Sequence, residues 1–443
     1  MENKEFQKFS KCFTSIRAFA IISIIIYHQS ILTILNVNQS TQLLFAHFSL
    51  ANIGVDIFVI LSGMLLTIAF VNTENHSWKN WYKRRAIRIF PILIITSIFM
   101  VCYDFILQDS ERDLHSIIML MSGLYKLPTF DYKSIPIPDA FWFISFILSC
   151  YLIFPFIIYA IRKNYKLTAY IVIFLFFLFG IFGYQIFDFT NSILNNIFNK
   201  ELEEIKFDNL IPRYFEFVFG MLLGFWTGKN EMSNLCRLKD KRITLLSLIS
   251  LIILYFLCLF LFFYQDNPQQ IIPKAQIKLT LYFICFPLIS FSFIFLMINV
   301  LYNQHRANDT LDFPGKASYE IFLTHFFAIN FITMIMFDIL LISIDLLSVL
   351  IYIVLIIIAS IILGIPFHFL AQKINTEKKI HPFFLMLSIV LVIYSIIYHL
   401  FYRIIKYTDI TSVILFGLIS ISLILIVIKF KKRENKHIQY KSF

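Results

Sequence analysis

Two ionisable residues eleven positions apart, Arg17 and His28, interrupt the first apolar stretch of this 443-residue chain, residues 13–35. A charged side chain at the centre of a membrane helix costs roughly 2.5–3.5 kcal/mol on insertion scales, so such residues are retained for a purpose. At about 100° per residue, eleven residues make about three turns, which puts both side chains on one stripe about 16 Å apart along the axis. A guanidinium near the inner surface suits an anion, and an imidazole toward mid-membrane suits proton transfer.

The next apolar stretch, residues 48–71, carries Asp56 inside Gly54-Val55-Asp56-Ile57-Phe58 and then Leu61-Ser62-Gly63. Counted from the cytoplasmic ends, Asp56 and His28 fall near the same depth, about 20 Å from the inner face. Consecutive spans are often neighbours, so a His28–Asp56 pair is expected, the carboxylate fixing the tautomer of a general base. Their other reading is as hydrogen-bonded glue between helices, and Gly54 and Gly63 read as sites of close helix packing.

A basic segment follows: Lys83-Arg84-Arg85-Ala86-Ile87-Arg88-Ile89-Phe90-Pro91. Arg85 and Arg88 share a helical face, and Pro91 suits a helix start, whose free amides favour an anion. With Arg84 they read as a site for a phosphate-bearing cytosolic ligand; topology signalling is the plainer alternative. Farther on, Ser318 and His325 are seven apart and share a face, and Arg213 and Glu216, three apart, are expected to pair with each other or to line an acceptor site.

The elements that must hold these residues are membrane helices. The chain is 59% hydrophobic and 15% charged, where a soluble protein runs near about 25% charged. Spans are expected at residues 13–35, 48–71, 87–107, 140–161, 167–187, 210–228, 243–264, 276–301, 318–341, 347–372, 383–402 and 409–429. With the amino terminus inside, cytoplasmic segments hold 28 of the 38 Lys and Arg residues, which predicts both termini inside. That asymmetry accounts for the net charge of +11 without nucleic acid. Residues 114–127 are too short to span and read as re-entrant or interfacial. The first segment reads as a span rather than a cleaved leader, because Arg17 and His28 interrupt it. The six cysteines show neither a disulfide framework nor zinc-ligand spacing, and no Walker A or dinucleotide-binding glycine pattern is present. The fold class is thus an all-α polytopic membrane protein of about twelve transmembrane helices. A bias toward Ile, Phe, Asn and Lys points to an AT-rich bacterial genome and hence to a bacterial cell membrane.

In order, Arg17-x10-His28, the Gly54–Gly63 block, Arg84-Arg85-x-x-Arg88-x-x-Pro91, Trp142-Phe143-Ile144-Ser145 with Tyr151 and Phe154-Pro155, Arg213 before Gly220-Met221-Leu222-Leu223-Gly224, and Ser318-Tyr319-Glu320-Ile321-Phe322-Leu323-Thr324-His325 resemble the type-3 membrane-bound acyltransferase family. The resemblance covers roughly residues 11–372. It departs at Ile147, where the family usually has an acidic residue, and at Val59, where an aromatic is usual. It implies a ten-helix acyltransferase core over residues 1–372, two additional C-terminal spans over 373–430 and a basic cytoplasmic tail over 431–443.

The implied activity is transfer of an acyl group, most often acetyl, from cytosolic acyl-coenzyme A to a hydroxyl of a cell-surface or exported carbohydrate. No tightly bound cofactor is expected, acyl-coenzyme A being a co-substrate. The implied roles are catalysis by His28, Asp56 and His325, acyl-coenzyme A binding by Arg17, Arg84, Arg85 and Arg88, and acceptor binding by Trp142, Arg213 and Glu216. A non-enzymatic glycan or lipid-linked-sugar exporter is the main rival, since it too needs many spans with buried polar residues. A polysaccharide polymerase ranks third, because it should concentrate arginine in large outer loops.

Overall fold

In the absence of water, apolar side chains gain nothing by leaving lipid for one another, so membrane helices associate through close packing and polar contacts. Both dominate the computed structural model of this chain. It describes residues 2–33, 50–73, 77–107, 114–124, 141–198, 211–229, 240–264, 277, 280–339, 346–377 and 381–405, all helical or in short connections. In chain order the helices are α1 (Glu2–Thr33), α2 (Ile53–Val71), α3 (Trp78–Leu107), α4 (Leu114–Ser122), α5 (Trp142–Lys163), α6 (Tyr165–Phe198), α7 (Ile211–Lys229), α8 (Lys241–Tyr264), α9 (Phe286–Leu301), α10 (His305–Lys316), α11 (Ser318–Thr333), α12 (Leu346–Thr376) and α13 (His381–Ile405).

Among the described residues, nine helices are long and apolar enough to cross a membrane. Of the twelve expected spans, 409–429 lies outside the described residues, as does the tail 431–443. Two more are helices outside that set: α7, which carries Arg213 and Glu216, falls short in apolarity, and the apolar described part of α13, His381–Ile393, falls short in length. Residues Leu114–Ser122 form a helix of 9 residues, too short to span.

The chain divides into two units, residues 1–77 with 146–369, and residues 78–145 with 370–443. In the first, Phe9, Cys12, Phe13, Ile16 and Ala20 of α1 form one core with Ile57, Ile60, Leu61, Met64 and Ile68 of α2 and Ile294, Ile298 and Leu301 of α9. Large apolar side chains remain exposed along α6, α8 and α12, among them Phe174, Leu246, Ile253 and Ile362, as a lipid-facing surface requires.

A run of close contacts joins α2 to α7. A Cβ at Gly63 would stand 2.1 Å from the Phe217 carbonyl oxygen, one at Gly220 2.2 Å from that of Ile60, and one at Gly224 2.3 Å from that of Met64. Only glycine lets the backbones approach this closely. The rising series also shows that α2 and α7 run parallel and in register.

The segment expected as a cytoplasmic loop before residue 318 is a helix, α10, that grips α1. The Lys11–Asp309 ion pair at 2.9 Å is exposed and contributes little, although it holds the Asp309 carboxyl below the usual carboxylate range. The buried contacts do more: Ser15 Oγ donates to Asn308 Oδ1 at 2.7 Å, Asn308 Nδ2 donates to the Leu301 carbonyl at 2.7 Å, and Gly315 lies against the Thr14 backbone. They fix the rotation of α1 beside Arg17.

In the second unit, α3, α4 and α13 pack on one another. Helix α3 starts at Trp78, not near Pro91, so the basic segment is helical and Pro91 sits inside the helix. The helix tolerates the lost hydrogen bond as proline-containing membrane helices do. The expected helix-start contribution to anion binding therefore does not operate at Arg88.

Candidate active site

Gly315 beside Thr14 sets α11 running parallel to α1, from the same end of the bundle. The stripe Arg17–His28 and the stripe Ser318–His325 therefore rise side by side. They meet at their carboxyl-terminal ends, where His325 Nε2 lies 3.0 Å from His28 Nδ1, with both rings buried. His28 thus pairs with His325, and not with Asp56.

The backbone fixes which nitrogens carry protons. His325 Nδ1 is 2.6 Å from the Phe322 carbonyl, and a carbonyl has no proton to give, so Nδ1–H donates. In a neutral ring the Nε2 of His325 is then an acceptor, and His28 must donate to it from Nδ1. The lone pair of His28 is left on Nε2, the atom a general base or nucleophile needs. Tyr27, with its ring centroid 5.4 Å from that of His28, and Phe326, 4.9 Å from His28 and 4.5 Å from His325, make an apolar wall around the pair.

Asp56 stands lower. Gly54 packs against Ala20, Ser23 and Ile24, so Asp56 lies about 10 Å from His28 along α1, toward the amino end of that helix. The depth count made from the sequence misses this because α2 begins partway along the 32-residue α1 rather than at its carboxyl end. Asp56 faces α7, where Arg213 Nε is 3.5 Å from its Oδ1, and Glu216 interacts with both. The three are 2%, 3% and 0% exposed, so Arg213 and Glu216 are sealed between helices rather than displayed. The expected Arg213–Glu216 contact is part of a larger cluster that includes Asp56. Asp56 lies in the first turn of α2, where the helix dipole favours a carboxylate.

A further buried ionisable contact escaped the sequence reading: His368 Nδ1 of α12 lies 3.5 Å from Glu320 Oε2 of α11, with the Phe313 ring edge-on to the imidazole. A lone histidine in an apolar run carries no mark of its partner. Asn308, which pins α1, was equally invisible in a polar loop.

Arg17 is half-buried on α1. The second unit holds the other candidates. Arg84 and Arg88 are exposed on α3, and Arg85, between them, lies over the Trp81 ring at 5.5 Å. Trp142 opens α5, half-buried, edge-on to Phe143 at 5.9 Å. Among the described residues no three His, Cys, Asp or Glu side chains gather as a metal site would need.

Comparison with known proteins bears on this site. The chain is 30% identical over 174 residues to a Bacillus subtilis (strain 168) protein, YrhL, named as a candidate peptidoglycan O-acetyltransferase; the match covers 35% of this chain. The chain spans 25% of the length of that curated relative. No solved structure matches. The family model described as an acyltransferase domain matches residues 11–368, which include both the histidine pair and the buried Asp56 cluster. A match over so much of the chain shows that this multi-pass membrane protein belongs to the type-3 acyltransferase family.

Proposed function

We propose that the protein is an integral membrane O-acyltransferase that moves an acyl group, acetyl in the simplest case, from cytosolic acyl-coenzyme A to a hydroxyl of a cell-surface or exported carbohydrate. The observation that carries this reading is the buried histidine pair, in which a backbone carbonyl and His325 together leave a lone pair on His28 Nε2. His28 takes the hydroxyl proton as the oxygen attacks the thioester carbon, and returns it to the departing sulfur. His325 holds the ring through the reaction, and Asp56, tied to Arg213, anchors α2 rather than moving the proton.

The arginines on the first turns of α3, Arg84, Arg85 and Arg88, are the proposed seat of the donor's phosphates, with Arg17 as a further cation on α1. Planar guanidinium groups suit phosphate better than lysine does. The indole of Trp142 offers a face for the acceptor sugar. Arg213 and Glu216 act on that acceptor indirectly, through the helix ends they hold. A carbohydrate acceptor is supported by the name of the Bacillus subtilis relative, and a bacterial plasma membrane with both termini inside by the Lys and Arg distribution.

The test uses purified full-length protein and acetyl-coenzyme A. A ligand at a hundred times its dissociation constant stabilises the folded state by about 2.7 kcal/mol, a clear rise in melting temperature. Loss of surface-glycan acetyl groups on deletion of the gene is the matching result in cells. A protein that acetyl-coenzyme A does not stabilise, in cells whose glycans keep their acetyl content after deletion, would instead be an exporter.

A further inference from the structure

We propose that the buried cluster of Asp56, Arg213 and Glu216 is a proton-binding site, in which Glu216 carries one proton and donates it to Asp56 Oδ2. This assignment is independent of the acyl-transfer reading. It concerns the ionisable groups that tie α2 to α7 and that the histidine chemistry leaves unused.

The register of the two helices brings the carboxyl groups together. A Cβ on Gly220 would meet the Ile60 carbonyl, and one on Gly224 would meet that of Met64. In this parallel pair the row Asp56, Ile60, Met64 on α2 therefore runs beside the row Glu216, Gly220, Gly224 on α7, both in steps of four residues. One turn before the glycine contacts, the same rows set Asp56 opposite Glu216. Arg213, one turn earlier on α7, reaches Asp56 Oδ1 with its Nε at 3.5 Å.

Two further observations require a proton there. The first is the charge count. Arginine is always a cation, so two ionised carboxyls beside one guanidinium would leave a net negative charge. All three residues are buried, and a buried charge without a counter-charge is neutralised rather than tolerated. The second is the state of the oxygens. Asp56 Oδ2 and both carboxyl oxygens of Glu216 are buried, and none accepts a hydrogen bond from a described donor. Two ionised carboxyls can only accept, so facing each other they leave all three oxygens unserved. One proton turns Glu216 into a donor, serves Asp56 Oδ2, and leaves on Glu216 a neutral carbonyl oxygen. The proton belongs on Glu216 because Asp56 is the carboxyl that meets Arg213.

The same count bears on α7. Arg213 and Glu216 leave this helix less apolar than the spans around it. With one cation, one anion and one neutral acid the cluster carries no net charge, which suits a helix that lies among membrane spans.

Infrared spectroscopy of the purified full-length protein near neutral pH reads the proton directly. A protonated carboxylic acid shows a C=O stretch that an ionised carboxylate lacks, and isotopically labelled glutamate shifts that band when the acid is a glutamate. The expected band is present in wild type, shifts with labelled glutamate, and is lost in Glu216→Gln and in Asp56→Asn. In Asp56→Asn the proton leaves because Glu216 becomes the carboxylate of Arg213. Either variant carries the test if the other does not fold. Glu216→Gln, whose amide donates to Asp56 as the acid does, should also melt near wild type. A band that a folded variant keeps, or one that shifts with labelled aspartate instead, overturns the assignment. So does Glu216→Gln melting well above wild type, because that is relief of repulsion between two ionised carboxyls. None of these readouts requires acyl transfer, so their failure leaves the proposed function standing, and failure of that function leaves this site standing.

Discussion

Replacing His325 by leucine removes the acceptor of the 3.0 Å bond to His28 while keeping apolar bulk in the buried site. The His28 ring is then left with the Ile24 carbonyl, one turn back, in place of that partner. A buried donor that loses its hydrogen bond costs about 1–3 kcal/mol, an upper bound here. If the ring escapes the cost by rotating or changing tautomer, the Nε2 lone pair leaves its position and the same energy appears in the barrier to transfer. At about 1.36 kcal/mol per factor of ten, that is a loss of about 5- to 150-fold in kcat.

The donor's affinity should not change, because His325 is proposed to touch no part of acyl-coenzyme A, so kcat/KM and kcat should fall together. His325→Gln is the informative companion, since its side-chain oxygen can accept from His28 Nδ1 and should recover much of the loss. The assay is acetyl transfer from labelled acetyl-coenzyme A at matched folded-protein levels. Refutation would be either of two results: His325→Leu within twofold of wild type, or glutamine no better than leucine.

Gly220→Ala puts a Cβ 2.2 Å from the Ile60 carbonyl, so α2 and α7 must part by about 1 Å, and overpacking of this kind costs about 1–3 kcal/mol; a lowered melting temperature checks it, and an unchanged one would mean the helices are not so close. Asp56→Ala takes the 3.5 Å partner from Arg213, which is 3% exposed, and leaves it Glu216 as its carboxylate; breaking a buried pair outright costs about 3–5 kcal/mol, so the loss, read as a lowered melting temperature, should stay below that, with Asp56→Asn milder. Arg85→Ala combined with Arg88→Ala should weaken acetyl-coenzyme A binding and flatten its salt dependence, while an unchanged affinity would reduce this segment to a topology signal.

His28, Asp56, His325 and Arg213 could each be singled out from sequence because an ionisable residue in an apolar run is conspicuous whatever surrounds it. Their partners could not. His28 and His325 are 297 positions apart, and nothing in either helix names the other. Chain adjacency favoured Asp56, which the true start of α2 places a few turns away. Gly54 and Gly63 were readable as packing sites, since few other roles suit glycine in a membrane helix. The partners of Gly63, Phe217 and Met221 on α7, depend on a parallel pairing that no local pattern encodes. Pro91 misled because proline marks helix starts in water yet is tolerated inside membrane helices, and the polar segment before residue 318 hid α10 because its buried side, Asn308, Pro314 and Gly315, is not apolar in the usual sense.

The most direct measurement of the central claim is acetyl transfer from labelled acetyl-coenzyme A to surface glycan by membranes containing wild-type protein or His28→Ala at equal levels. A positioned general base contributes about 10²–10⁴-fold, so His28→Ala should lose at least about a hundredfold in rate while the purified variant is still stabilised by acetyl-coenzyme A. Transfer near the wild-type rate would remove His28 Nε2 from the reaction and contradict the account.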